Sequence, residues 1–577
     1  MQEQIAVATR VFYCAVMRTD EQSRATLPHR SPSGWKNAFS RLALLFLVHL
    51  DALRKYPAGY FAAVWQRVLG KRLRARLMMA PLLGKSPRSY RLWQLRQAAS
   101  KIERTGSQDG HRDGLGKVRL FAAVLEGAGL DETLASLARE RIDASVVKEM
   151  DAVRTDIFAG KAEGPDDWIM TIPSGDTLAL GAGAVYRDAA AAASPSVKII
   201  YADDDLATDG KPHFKPEWNR ELFNHMDFLS GAAIVRFSAC LQGDHSPGLC
   251  APAHIARTID SDASSVLHVA QILHHRQTRP SPQRPGPVIL SSEQRAGLPS
   301  VSVIVPTRNR ADLLRTCLEG LQRTDYSGGM ETLVIDNGSD DPETLQYLAS
   351  LDRQFARPLH MPGAFNFAAI NNAAVAQASG ELICFLNNDV ETTTRDWLET
   401  LAFQALRPEV GAVGAQLLYP SGRIQHAGVV LGIGGGAAHA HRLLRPEEEG
   451  YFHRHALPQF VSAVTAACLV VRKDRFLAVG GFDAANFAVA FNDVDLCLKL
   501  NKRGWQSLYE PRARLVHHES VSRGTDGDPV GARRLEGELA ALQQRWGIAP
   551  PQLPGRTVDP FHHPALSPFS ENFVLHV

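Results

Sequence analysis

The stretch Val301 to Asn309, reading VSVIVPTRN, constrains the fold more than any other part of this chain. Its strand is apolar at consecutive positions, so it reads as buried on both faces, as in a sheet covered by helices on either side. It runs into Pro306, Thr307, Arg308 and Asn309, and a helix pattern follows at ADLLRTCLEGLQ (311–322), apolar at 313, 314, 317, 318 and 321. A second apolar strand then stops on Asp336, immediately before Asn-Gly. That is the opening of an α/β domain, and open α/β sheets bind ligands beyond the carboxyl ends of their strands.

The alternation continues. NFAAINNAAVAQASG (366–380) reads as a helix stopped by Gly380, ELICFLNND (381–389) as a third strand, WLETLAFQAL (397–406) as a helix and GAVGAQLLY (411–419) as a fourth strand. TAACLVVRKDRFLAVGGF (465–482) reads as strand, helix start and Gly-Gly turn, and RRLEGELAALQQRWG (533–547) as a last helix before a Pro-rich tail. Such a series predicts a mostly parallel central sheet with helices on both sides. Upstream, KVRLFAAVL (117–125), DETLASLARERI (131–142) and VKIIYADDD (197–205) begin another α/β pattern. It is bounded by the polar linker SQDGHRDGLG (107–116) and by a Pro-rich strap at 277–298.

The predicted organisation is therefore a helical basic N-terminal region (1–115), an α/β domain (116–276), a linker (277–298), a second α/β domain (299–525) and a C-terminal helix with a Pro-rich tail (526–577). A chain of 577 residues exceeds one ordinary core, which agrees with that division. From Lys36 to Arg96 basic residues are interleaved with apolar ones, as in KRLRARLMMAPLL (71–83). Such a segment is either a solvated basic face or a surface for an anionic membrane or a packing partner.

A net charge of +2 argues neither for nor against a nucleic-acid partner, and none is expected. The seven cysteines have no paired metal spacing; Cys317, Cys384, Cys468 and Cys497 sit in apolar patterns and are expected to be buried thiols of a reducing compartment. MQEQIAVATRVF lacks the order of a signal peptide, and Leu42 to Leu50 is about half the length needed to cross a bilayer. The expected location is the cytoplasm, with at most a peripheral contact at the inner face of its membrane.

The candidate chemistry lies at strand ends. Asp336 can accept hydrogen bonds from a base or ribose in a pocket framed by Pro306 and Thr307, or simply cap its own turn. Asp389 follows Asn387 and Asn388 at the abrupt polar end of an apolar strand, where a hard cation bridging a diphosphate would want oxygen ligands. Asp493 and Asp495 are too close along a helix to share a face, so one at most points into a site. His517 and His518 end a strand-like run before Glu519 and Ser520, and a neutral imidazole is a plausible third metal ligand.

Together these segments resemble the GT-A fold of the family 2 glycosyltransferases, and among them the bacterial enzymes of O-antigen, capsule and rhamnan-type polysaccharide assembly. The similarity covers roughly residues 301–525. It implies a nucleotide-sugar site at Pro306, Thr307, Arg308, Asp336, Asn366 and Asn388, and a Mg²⁺ or Mn²⁺ held by Asp389 and His518, with His517 close behind. FLNNDV stands where the family carries Asp-x-Asp, with Asn387 in place of the first carboxylate. FNDVD stands at the family's Glu-Asp motif, with Asn492 in the Glu position, Asp493 as the catalytic base and Asp495 undecided. SGRIQHAGVVLGIGGG (421–436) resembles the same subgroup, its glycines suggesting a mobile loop. YADDDLATDGKPHFKPEWNRELFNHMDFLSGAAIVR (201–236) resembles the second half of family members. The 116–276 domain thus reads as a degenerate copy in which IMTIPSGD keeps only Asp176, although the carboxylates at 203–205 leave a second site open.

The implied function is metal-dependent, inverting transfer of a sugar from a nucleoside-diphosphate sugar to a hydroxyl of a saccharide or lipid-linked glycan. A catalytically inactive saccharide-binding or assembly protein is the alternative, since two acidic motif positions are amides. A nucleotidyltransferase would need a Gly-rich, basic loop after its first strand, and TRNRADLL is a poor one.

Overall fold

The computed structural model describes residues 32–105, 118–149, 155–158, 161–162, 164, 167–241, 249–259, 263–518, 529–548 and 559–577. The linker at 107–116, Cys14, and Glu519 and Ser520 of the histidine segment lie outside the described residues. Four helices come first: α1 (Pro32–Lys55), α2 (Pro57–Val68), α3 (Arg72–Gly84) and α4 (Ser89–Thr105). Pro57 opens α2, a position where its missing N–H has no partner to lose. The helices bury Val48, Ala52, Tyr60, Leu83 and Leu92 among themselves.

The first sheet contains β1 (Arg119–Leu125), β2 (Asp143–Val147), β3 (Asp167–Pro173), β4 (Thr177–Leu178), β5 (Ile199–Leu206), β6 (Pro212–His213), β7 (Ala233–Arg236) and β8 (Val266–Arg276). Its helices are α5 (Leu130–Arg139), α6 (Ala182–Ala192), α7 (Arg220–His225) and α8 (Pro252–Thr258), and a short α9 (Ser292–Ala296) follows in the connection to the next unit. The strand order is β2-β1-β3-β7-β5-β8-β4, with β6 beside β5.

The second unit runs β9 (Val301–Thr307), α10 (Ala311–Gln322), β10 (Met330–Asp336), α11 (Pro342–Ser350), β11 (Ala356–His360), α12 (Phe367–Val375), β12 (Leu382–Leu386), β13 (Val390–Thr392), α13 (Trp397–Ala405) and β14 (Val410–Leu418). It continues with β15 (Ile424–His426), β16 (Val429–Leu431), β17 (Ala437–His439), β18 (Gln459–Val461), β19 (Cys468–Arg472), α14 (Lys473–Ala478), α15 (Asn492–Lys502), β20 (Gln506–His517) and α16 (Pro529–Trp546). The order is β11-β10-β9-β12-β19-β14-β20-β13, with β15 beside β14 and β18 beside β20. Layers of apolar side chains cover both faces, one around Ile304, Phe385 and Tyr509, the other around Val303, Trp397 and Leu508.

The expected mostly parallel sheet is corrected: both sheets are mixed. In the second, β9 to β12 pair in parallel, but β19 lies antiparallel between β12 and β14. Strands β13, β15 and β18 are also antiparallel to their neighbours. A strand that is apolar on both faces reports burial, not direction, and β12 and β19 read alike.

Once β11 and β18 are set aside, the first sheet repeats the second strand for strand. β1 pairs with β2 and β3 in parallel as β9 does with β10 and β12, and β7 and β19 take the same antiparallel place. β5 and β8 correspond to β14 and β20, and β4 and β13 close the edge. Thr177 lies opposite His275 as Val390 lies opposite His517. The chain therefore holds two related mixed sheets behind a helical N-terminal region, and Asp176 occupies the place of Asp389.

The two units meet directly. Asn219 caps α7 and donates to the Phe460 carbonyl at 2.8 Å, while Arg407 reaches Glu221 at 2.7 Å. The C-terminal segment packs Ala565, Leu566, Phe573 and Leu575 against Phe214 of the first unit, Val430 and Ile433 of the second, and Leu77, Tyr90 and Trp93 of the helices.

Candidate functional site

β9, β10, β12 and β20 bring their polar termini to one edge of the second sheet. In register Thr307 lies beside Asp336, and Asp336 beside His360. Asp336 is buried; its carboxylate accepts from the Ser339 amide at 2.8 Å and meets His360 Nδ1 at 2.9 Å. Burial pushes this carboxyl up, but the Ser339 hydroxyl and amide and His360 hold it below its ordinary value. Asn309, in a left-handed conformation, binds the facing loop on both sides of its amide. Its Nδ2 donates to Asp340 at 2.8 Å and its Oδ1 accepts from the amides of Asp340 and Asp341, both at 3.0 Å. Asn388, buried, donates to the Thr307 hydroxyl at 3.0 Å. Arg308 is exposed beside them. Asn366 spends its amide on structure: its oxygen caps α12 at Ala369 and its nitrogen donates to the Ala484 carbonyl at 3.0 Å.

After β12 the chain turns through Asn387, Asn388 and Asp389 and returns as β13 beside β20. Successive strand residues face opposite ways, so only one of two adjacent histidines can meet Asp389. That one is His517, whose Nε2 is 3.0 Å from Asp389 Oδ1. His518 is turned to Glu391 at 3.1 Å, and only its backbone amide reaches the Asp389 carbonyl, at 2.9 Å.

The tautomer of His517 follows from its surroundings. Nδ1 lies 2.7 Å from the amide oxygen of buried Gln425 and so carries a proton. Asn387 Nδ2 lies 3.4 Å from Nε2, a donor facing the other ring nitrogen. Nε2 faces the carboxylate oxygen of Asp389 at 3.0 Å. Two acceptors at that separation repel unless a cation or a proton lies between them. A metal-bound imidazole has this arrangement, its far N–H given to an outer acceptor. Asp389 and His517 thus offer two ligand atoms to a hard divalent cation whose remaining ligands would come from phosphate and water.

Asp493 is the second residue of α15. Its carboxylate accepts from the Ala466 amide at 3.0 Å and from Val494 at 2.8 Å, and Asn387 donates its own amide to the Ala467 carbonyl at 3.0 Å. The 465–467 turn therefore spans from the end of β12 to the start of α15. Asn492 is buried and bound to the Val489 carbonyl. Asp495, two residues on, is fully buried and engaged by Arg545 at 2.9 Å, Trp546 at 3.0 Å and Lys499 at 3.2 Å; it anchors α16 instead of facing the site. Glu538 of α16 accepts from the amides of Val489 and Ala490, both at 2.9 Å. The glycine-rich turn at 432–436 is tied down as well: Gly434 donates to Pro568, and Gln543 to Gly435.

Asn309, Ser339, His360, Gln425 and Glu538 were not among the expected site residues. Their parts depend on pairing across the sheet, which no local pattern carries; Asn309 alone was signalled, as the end of the PTRN turn.

The matching edge of the first sheet is occupied by the chain's own cations. Asp176 accepts from the Gln277 amide at 2.7 Å and pairs with Arg276 at 3.4 Å. Asp204 is buried against Lys215 at 2.9 Å and Arg279 at 2.5 Å, and Asp205 against His275 at 2.6 Å. Asp203, His268 and His563 place one ligand atom each within 4.8 Å of one another. Here the tautomer is reversed: the Ala565 amide donates to His563 Nδ1 at 3.0 Å, so the ring proton is on Nε2, 2.9 Å from Asp203. In that arrangement His563 gives Asp203 a hydrogen bond in place of the Nε2 lone pair a metal would take.

Residues 302–467 match the model of glycosyl transferase family 2. An uncharacterized protein, y4gI, of Sinorhizobium fredii is 36% identical over 435 residues, covering 66% of this chain and 46% of that protein. The O-antigen biosynthesis protein RfbC of Myxococcus xanthus is 34% identical over 380 residues, 58% of this chain and 30% of its own length. The chain thus spans less than half the length of these relatives. A solved mannosyltransferase of Pyrobaculum calidifontis, in complex with GDP-Man and Mn²⁺, is 22% identical over 44% of this chain and 66% of its own, with a TM-score of 0.32, too slight a likeness to carry an argument.

Proposed function

We propose, from the premise that this chain belongs to glycosyl transferase family 2 through residues 302–467, that its second unit transfers a sugar from a nucleoside-diphosphate sugar to a hydroxyl of a saccharide or lipid-linked glycan. The observation that carries this reading is the convergence of Asp336, Asn388, Asp389 and His517 on one sheet edge, with Nε2 of His517 turned to Asp389. Asp336, Pro306, Thr307 and Arg308 receive the nucleoside end, with Asn366 holding the neighbouring helix start in place. Asp389 and His517, in preference to His518, would hold Mg²⁺ or Mn²⁺. Once bound there, the cation would neutralise the charge gathering on the departing diphosphate.

Asp493 accepts the proton of the acceptor hydroxyl, whose oxygen forms a bond to the anomeric carbon. The bond from that carbon to the diphosphate breaks with its electron pair on the leaving oxygen. Attack from the opposite face inverts the configuration through an oxocarbenium-like transition state. The first unit, its carboxylates taken up by Arg276, Lys215 and Arg279, serves as a non-catalytic support.

The second reading, a saccharide-binding assembly protein, is favoured by Asn387 and Asn492 at two positions where the family carries acids. Release of nucleoside diphosphate from UDP-, GDP- and dTDP-sugars, with Mg²⁺ or Mn²⁺ and a lipid-linked saccharide extract, separates the two. Wild type should turn over one donor, and Asp493→Asn should be slower by roughly 10²- to 10⁴-fold, the usual range for a lost general base. Donor binding without turnover in wild type would favour the assembly protein, and full activity in the variant would remove Asp493 as the base.

A further inference from the structure

The helical N-terminal region leaves an apolar face uncovered among the described residues. Helix α2 turns Tyr60 and Ala63 into the helical cluster. It directs Phe61 (46% exposed), Trp65 (60%) and Val68 (63%) the other way, at spacings of four and three that make one stripe. The stripe runs into the turn before α3, where every residue from Arg67 to Arg74 is exposed. Helix α1 adds exposed Phe39 and Leu42.

The charge on this region has one sign. Between Lys36 and Arg96 the sole carboxylate is Asp51, which Arg88 engages at 2.5 Å. In the exposed turn Arg67, Lys71, Arg72 and Arg74 alternate with Val68, Leu69 and Leu73. Protein–protein interfaces deplete lysine and charge at their apolar centres, arginine excepted. A lipid surface suits an interleaved pattern, because long cationic side chains lay their stems along apolar neighbours and lift their heads to the phosphates. No described helix is long and apolar enough to cross a membrane, so such a face would lie on a bilayer.

We propose that α2 and the α2–α3 turn, with Phe39 and Leu42 of α1, seat this chain on an anionic phospholipid surface. Phe61, Trp65, Val68 and Leu69 enter the acyl boundary, and Arg67, Lys71, Arg72 and Arg74 meet the headgroups. The assignment is independent of the transfer chemistry and is tested without it.

The test is flotation of the full chain with vesicles of phosphatidylcholine alone or with about a third phosphatidylglycerol, at low and high salt. Wild type should float with anionic vesicles and bind at least ~10-fold more weakly to neutral ones or at high salt, as a polybasic contact requires. Phe61→Ser/Trp65→Ser, and separately Arg67→Gln/Lys71→Gln/Arg72→Gln/Arg74→Gln, should each weaken flotation ~10-fold or more while leaving the thermal midpoint unchanged. Wild type that stays with the soluble fraction, floats equally with neutral vesicles, or is unmoved by salt overturns the proposal whether or not the variants fold. So do folded variants that float as wild type does. A wild-type dimer in sedimentation equilibrium that Phe61→Ser/Trp65→Ser converts to monomer would assign the face to a second copy and overturn it equally.

Discussion

His517 and His518 are neighbours in sequence with different prospects, and the difference rests on one amide. Gln425 holds Nδ1 of His517 at 2.7 Å and so fixes the ring's orientation, with Nε2 toward Asp389. Replacing it by leucine would strand that buried N–H and release the ring. Outer-shell substitutions of this kind typically cost 10- to 100-fold in metal affinity. We expect Gln425→Leu to weaken Mn²⁺ binding by about that much, His517→Ala to weaken it more, and His518→Ala to leave it within ~3-fold. Titration followed by electron paramagnetic resonance or calorimetry reads all three, and an effect of His518→Ala equal to that of His517→Ala would refute the assignment. The sequence offered the pair but could not rank its members. Ranking them needs the parity of β20 against β13, and that is set by the pairing of Val390 with His517. Asp336 and Asp389, by contrast, were legible because one ends an apolar strand and the other closes the polar turn directly after one.

Among the elements, those with strong local patterns were read closely and those defined by partners were not. Helix α10 spans the predicted 311–322, whereas α12 ends at Val375, five residues before the glycine expected to stop it. Gly380 is needed for another reason: a Cβ there would lie 2.4 Å from the Ser302 backbone nitrogen, so the chain passes too close to β9 for any side chain. Strands β11, β13, β15, β16, β17 and β18, of three to five residues, carry no periodicity long enough to be seen. Helix α16 was foreseen as an element but not as a support of the site. Its Glu538 binds the two amides just before α15, where Asp493 sits. Glu538→Ala would leave both amides without that acceptor, a loss of about 2–4 kcal/mol at the usual cost of buried unsatisfied groups. We expect denaturant unfolding to show that loss and kcat to fall more than KM rises, with Glu538→Gln, which keeps one acceptor, in between. A stability loss with unchanged kcat would make Glu538 a purely structural residue.

At the scale of the whole molecule, the C-terminal segment ties the helices and both units together, and its polar anchor is titratable. His563 meets Asp203 at 2.9 Å, Asp203 meets His268 at 3.0 Å, and His268 meets Glu217 at 3.4 Å, all at the tail's seam with the first unit. Burial alone would push the His268 imidazole down, but Asp203 and Glu217 push it up to about 9. Burial likewise raises the Asp203 carboxyl, yet His563 and His268 hold it well below the usual carboxylate range. Since the folded pKa of His268 lies above its unfolded value near 6.5, its stabilisation is complete below about 6.5 and is lost as pH rises through about 9. That shift corresponds to about 3 kcal/mol, counted once for the coupled pair. Stability measured by denaturant should therefore decline by roughly that amount between pH 6.5 and 9.5, and His268→Gln, which keeps a hydrogen bond to Asp203 without a charge, should flatten the decline. The lost energy belongs to the seam, so amide exchange in residues 559–577, corrected for intrinsic rate, should quicken over the same interval and do so less in the variant. Exchange in the tail that is independent of pH while global stability falls would place the titrating contact elsewhere and leave the tail held by its apolar packing alone.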